Sequence, residues 1–85
     1  MYIPIGNDMA VREDSIIGIF DLDNASAGKA TREFLRSAEE NGDVVTVTDE
    51  LPKSFVLTRE FMLDRVYLTQ FSSAAMEKRS RRRYP

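Results

Sequence analysis

Ile16-Ile17-Gly18-Ile19-Phe20 is the most apolar run in this 85-residue chain, and most of it is β-branched. An uninterrupted run of this kind reads as a central strand covered on both faces. Gly18 inside it marks a bulge or a close backbone approach. Upstream, Tyr2 to Ile5 and Met9 to Arg12 are short extended segments around Gly6-Asn7-Asp8, the pattern of a hairpin. Pro4 donates no ladder hydrogen bond and suits an edge strand.

Downstream of the run the period changes from strand to helix. Asn24 or Ser26 caps the start, and Asn41-Gly42 provides the stop. Ala27, Ala30, Phe34, Leu35 and Ala38 recur every three to four residues as one apolar stripe. Lys29/Glu33 and Arg36/Glu40 are spaced to pair on the solvent side. Val44 to Thr48 and Ser54 to Thr58 read as two strands joined by Asp49-Glu50-Leu51-Pro52-Lys53 in a hairpin. Thr58 to Asp64 reads as a short helical turn offering Phe61, Met62 and Leu63 to the core. Val66 to Phe71 is the last strand, and a terminal helix starts near Ser72 or Ser73. The order β-β-β-α-β-β-β-α predicts an α+β fold. Its small, largely antiparallel sheet has five to six short strands, with one central and one C-terminal helix. Residues 1–77 form a single domain, and residues 78–85 are a basic tip continuing the last helix.

Charge divides the chain in the same place. Residues 1–77 hold seven basic and all fourteen acidic side chains, a formal −7, whereas Lys78, Arg79, Arg81, Arg82 and Arg83 give the last eight residues +5. A cationic tip on an acidic body seeks a polyanion: nucleic acid, an anionic membrane surface, or an acidic partner. If the helix continues, Arg79, Arg82 and Arg83 share a face, and their guanidinium forks match phosphate oxygens. The bland alternative is a solvated terminus that keeps the protein soluble.

The composition excludes much chemistry. With no His and no Cys there is no imidazole base and no thiolate nucleophile. Gly6, Gly18, Gly28 and Gly42 are scattered, so no phosphate-binding glycine loop exists. Asp21 and Asp23 lie two apart, but solvated carboxylates near a helix N-terminus account for them better than a metal pair does. No enzyme activity, metal or other cofactor is expected. An 85-residue domain buries about 60–65% of its unfolded surface, so without disulfides self-association is the remaining source of extra stability. No apolar stretch approaches the length of a membrane span, and the N-terminus lacks signal-peptide features. A soluble, cytoplasmic protein is expected.

Met1-Tyr2-Ile3, Gly6, Val11, the run Ile16 to Asp21, Pro52-Lys53-Ser54 with Val56 and Thr58, Val66-Tyr67, and Ser72-Ser73 with Lys78-Arg79 resemble the RemB branch of the RemA/RemB family of bacterial extracellular-matrix regulators. The match covers residues 1–22 and 52–79. The resemblance implies a small α/β protein that assembles into a ring-like homo-oligomer. It also implies that RemA-type members bind promoter DNA through arginines near the early turn and in the central hairpin. This chain departs from that pattern: Ser15 stands where the first arginine is expected, with Arg12 close by. The hairpin reads Asp49-Glu50-Leu51-Pro52 with Lys53 as its one cation. The resulting expectation is a homo-oligomeric regulator of biofilm genes contacting double-stranded DNA through Arg12, Lys53, Lys78, Arg79, Arg81, Arg82 and Arg83, with no small-molecule substrate. The alternative is an assembly protein that modifies a related regulator without touching DNA. Membrane attachment is disfavoured, because only Ala74, Ala75 and Met76 flank the charges.

Overall fold

Six strands and two α-helices follow one another along residues 1–22 and 28–80, the part of the chain that the computed structural model describes. They are β1 (Tyr2–Gly6), β2 (Met9–Arg12), a 3₁₀ turn (Glu13–Ser15), β3 (Ile16–Asp21), α1 (Lys29–Glu40), β4 (Val44–Thr46), β5 (Ser54–Glu60), β6 (Leu63–Thr69) and α2 (Ser73–Arg79). The α+β class and the element order agree with the sequence pattern. Asn24 and Ser26, the expected caps of α1, and Asp23 lie outside the described residues.

Strands β1 and β2 form an antiparallel hairpin of their own, and the other four make a sheet in the order β3-β5-β6-β4. Alternation along each strand sends side chains to opposite faces of that sheet, so it supports two cores. On one face, Val56 and Ile19 meet Ile3, Ile5 and Val11 of the hairpin and Met76 of α2, all buried. On the other, Phe55 and Val66 meet Ala38 of α1, with Phe20, Leu35, Val44 and Leu68 around them. The molecule is therefore three layers: hairpin with α2, sheet, and α1. Thr69 ties two layers together, its hydroxyl donating to the Ile5 carbonyl at 2.6 Å in the buried interior.

Three expectations need correction. The apolar run forms β3, but β3 is an edge strand; β5 lies between β3 and β6. An unbroken apolar run reports coverage of both faces, not rank in the sheet. Ile19 and Phe20 do enter opposite cores, while Ile17 at the bulge is 40% exposed. Gly18 is a close approach as well as a bulge: a Cβ there would sit 2.6 Å from the Phe20 ring.

Second, β4 and β5 do not pair as a hairpin. Strand β4 runs parallel to β6, and the segment after it crosses the end of β6 before β5 returns on the far side. Lys53 N–H donates to the Thr69 carbonyl at 2.8 Å and pins that crossing.

Third, Thr58 to Asp64 is not a helical turn. Strands β5 and β6 extend towards each other and close on Phe61 and Met62, with Glu60 facing Leu63. Both turn residues adopt positive φ, 54° and 65°, and they are 85% and 94% exposed instead of entering the core. Two-residue connections of this hand match the twist of antiparallel strands, so the topology overrides the apolar character of the side chains.

Candidate nucleic-acid interface

Of the cations expected to meet phosphate, those among the described residues come from three places: Arg12 from β2, Lys53 from the segment before β5, and Lys78 and Arg79 from α2. Arg12 is the last residue of β2, opposite Tyr2, and its guanidinium reaches across to the Glu60 carboxylate of β5 at 2.8 Å. Lys53 precedes β5 and is exposed. Arg12 and Lys53 therefore mark opposite ends of β5. Six residues of extended chain separate Glu60 from Ser54, about 20 Å, so the structure does not bring these two cations together.

α2 is capped by Ser72, whose hydroxyl accepts the Ala75 N–H at 3.1 Å. Lys78 and Arg79 occupy its last turn, where cations complement the helix dipole. Lys78 is exposed to solvent. Arg79 is instead held against the body: its guanidinium lies 3.8 Å from the centroid of the Phe71 ring and donates to the Pro4 carbonyl at 3.3 Å. Cation–π stacking and a carbonyl acceptor together give Arg79 a structural role.

The helix ends there. Ser80 is extended (φ −95°, ψ 146°) and almost fully buried, and its hydroxyl donates to the Glu13 carboxylate at 2.9 Å. α2 therefore spans Ser73–Arg79, with Ser80 as its extended C-cap. Arg81, Arg82 and Arg83 lie outside the described residues.

Two arginines fall in or beside the stretch Thr58 to Asp64, which the sequence pattern assigns to a helical turn: β5 runs past Thr58 to include Arg59, and β6 starts before Val66 to include Arg65. Arg59 of β5 forms a two-pronged ion pair with Asp64 of β6, Nε to Oδ1 at 2.6 Å and Nη2 to Oδ2 at 3.0 Å. The hydrogen bond raises the Arg59 pKa and, from the other side, lowers that of Asp64. Arg65 projects to the opposite face, one pleat further on, and joins Arg12 in lining a cleft. The alternation Leu63, Arg65, Tyr67, Thr69 is the signal that would have placed it.

Among the described residues no group of three or more Asp or Glu side chains is arranged to hold a metal ion. None of the described helices is long and apolar enough to cross a membrane.

No protein-family model matches the chain. It is, however, 34% identical over 80 residues to extracellular matrix regulatory protein B of Bacillus subtilis (strain 168), an alignment spanning 94% of this chain and 90% of that protein. An alignment of this identity, running through both hairpins, the sheet and both helices, establishes descent over the whole domain: the chain belongs to the family of extracellular matrix regulatory protein B.

Proposed function

We propose that this protein is a non-enzymatic, homo-oligomeric regulator of extracellular-matrix gene expression that contacts DNA phosphates through its C-terminal cations. The observation that carries this reading is the charge division, +5 on residues 78–85 against −7 on the rest. The Glu13–Ser80 hydrogen bond supports it further, because it anchors the chain where the basic tip begins. Arg12 and Arg79 are engaged within the body, so Lys78, Arg81, Arg82 and Arg83 are the principal contacts and Lys53 is an accessory one. Four or five phosphate contacts bind weakly, and an oligomer that presents several tips together gains avidity.

Binding to duplex DNA measured against salt tests the reading. Log K should fall linearly with log[salt], and replacing Arg81, Arg82 and Arg83 with Ala should flatten the slope by about 2–3, near 0.9 per lost contact. No binding at low salt, or a slope unchanged by the triple substitution, would sink it.

A second reading is an assembly protein that modifies a related regulator. The exposed Phe61-Met62 turn favours it, since exposed apolar clusters mark protein contacts. Sedimentation that finds a monomer, indifferent to loss of both side chains, would count against it.

A further inference from the structure

At the Glu60–Leu63 end of the sheet, the hairpin layer and the sheet part to leave a cleft of about 420 Å³. That volume lies within the range of about 300–1,000 Å³ that small-molecule sites occupy. Its lining is unusual for an acidic body. Arg12 and Glu60 face it but neutralise one another. Arg65 also lines it, exposed and with no ion pair among the described residues, so the cleft carries a net positive charge.

Thr58 contributes a second polar group. The residue is only 4% exposed, lines the cleft, and makes no side-chain hydrogen bond among the described residues. No buried side-chain polar atom among the described residues lacks a partner, so this hydroxyl is within reach of the solvent of the cleft, where it can bond an occupant. Three aromatic residues, Tyr2 from β1, Tyr67 from β6 and Phe61 from the turn, share the remaining walls with Ala10, Val11, Ser15 and Leu63. Phe61 stands at the rim at φ 54°, a conformation that bulky residues avoid and that clusters at ligand clamps. Guanidinium, hydroxyl and aromatic walls complement a phosphate attached to a planar ring.

We propose that this cleft binds a nucleoside phosphate, with Arg65 on the phosphate, Thr58 as a hydrogen-bonding partner, and the aromatic side chains against the base. The site is separate from the basic tip and does not rest on DNA binding by that tip. The same chemistry is offered by a free nucleotide and by the DNA backbone, and we assign the free nucleotide.

The test is titration of the full-length protein with adenosine 5′-monophosphate, followed by calorimetry and by amide chemical shifts. Saturable binding is expected, with shifts at Thr58, Arg65 and Tyr67. Arg65→Ala should weaken it about tenfold, as loss of a charge-assisted contact does. Thr58→Val, which keeps the buried shape, should weaken it several-fold, and the triple alanine substitution at residues 81–83 should leave it unchanged. Circular dichroism of each variant confirms folding. The proposal is overturned by an absence of binding at millimolar ligand, by shifts confined to residues 78–85, or by inorganic phosphate binding as tightly as the nucleotide. A DNA duplex that displaces the nucleotide in an Arg65-dependent manner assigns the cleft to DNA and overturns the free nucleotide as its ligand.

Discussion

The two hairpins of this protein both close on a pair of residues at positive φ, with opposite side-chain chemistry. β1 and β2 are joined through Asn7 and Asp8, at φ 29° and 62°; β5 and β6 are joined through Phe61 and Met62, at φ 54° and 65°. Asn and Asp tolerate the left-handed region because their short polar side chains bond locally. Phe and Met have no such compensation, and they stand almost fully in solvent. The first turn is therefore chosen for folding. The second is retained against folding preference, which points to a use for its side chains at a surface. The bodies of the hairpins differ the other way: β1 and β2 are joined to the sheet through Gly6 and Thr69, whereas the far end of β5 and β6 is held by ion pairs in solvent.

The largest effect is expected where the first hairpin meets the sheet. Gly6 has φ +136°, and a Cβ there would lie 2.5 Å from the Val47 carbonyl oxygen, a backbone atom with little room to yield. Gly6→Ala should destabilise the fold on the order of 2–4 kcal/mol, read as a lower denaturant midpoint at constant m. A neutral outcome would show that the hairpin is not seated as tightly as described. Thr69→Val should cost about 1–3 kcal/mol in the same assay, because it leaves the buried Ile5 carbonyl without its donor.

Giving the second turn residues that tolerate the left-handed region, as those of the first do, reverses the sign. Phe61→Asn with Met62→Gly should stabilise the protein by about 1–2 kcal/mol by relieving two left-handed bulky residues. If stability falls instead, the exposed side chains make contacts in solution, as the assembly reading requires, and sedimentation of the variant will show the dissociation.

The smallest effect belongs to Arg59 and Asp64. Because the hydrogen bond from Arg59 holds the Asp64 pKa below its unfolded value, the pair adds stability at neutral pH. That contribution fades as pH falls below the ordinary carboxylate range and through the lowered value. Asp64→Asn should therefore be less stable than the parent at pH 7 and indistinguishable from it in strong acid, in a difference kept small by solvent screening.

Local patterns were legible in the sequence wherever one interaction range governs them. The early hairpin, the Asn41-Gly42 helix stop and the start of α2 near Ser72 depend on dihedral preference and on residues no more than about ten positions away, and Gly18 marks its bulge by residue type. Of the 3.6-residue stripe expected for α1, Ala27 lies outside the described residues, Ala38 is buried, Leu35 is partly covered, and Ala30 and Phe34 are exposed. The misreadings share a different cause. The rank of β3, the parallel pairing of β4 with β6, and the Phe61-Met62 turn are all decided by which strand arrives beside which. An apolar triplet carries no record of that, so Phe61, Met62 and Leu63 resembled core residues.

The candidate site was divided along the same line. Charge distribution, the absence of His and Cys, and the family likeness are properties of the chain alone, since they need no coordinates. Which cations remain available needed the tertiary structure. Arg12 is turned onto Glu60 and Arg79 onto Phe71 and Pro4, while Arg65 is brought to a cleft whose walls come from β1, β2, β5 and β6. Sequence determined this protein's class, its element order and its electrostatic asymmetry, because those follow from residue identity and short-range spacing. Only the packing of three layers decided strand order, the exposure of an unfavourable turn and the partners of each arginine, because those depend on contacts between residues as much as 75 positions apart.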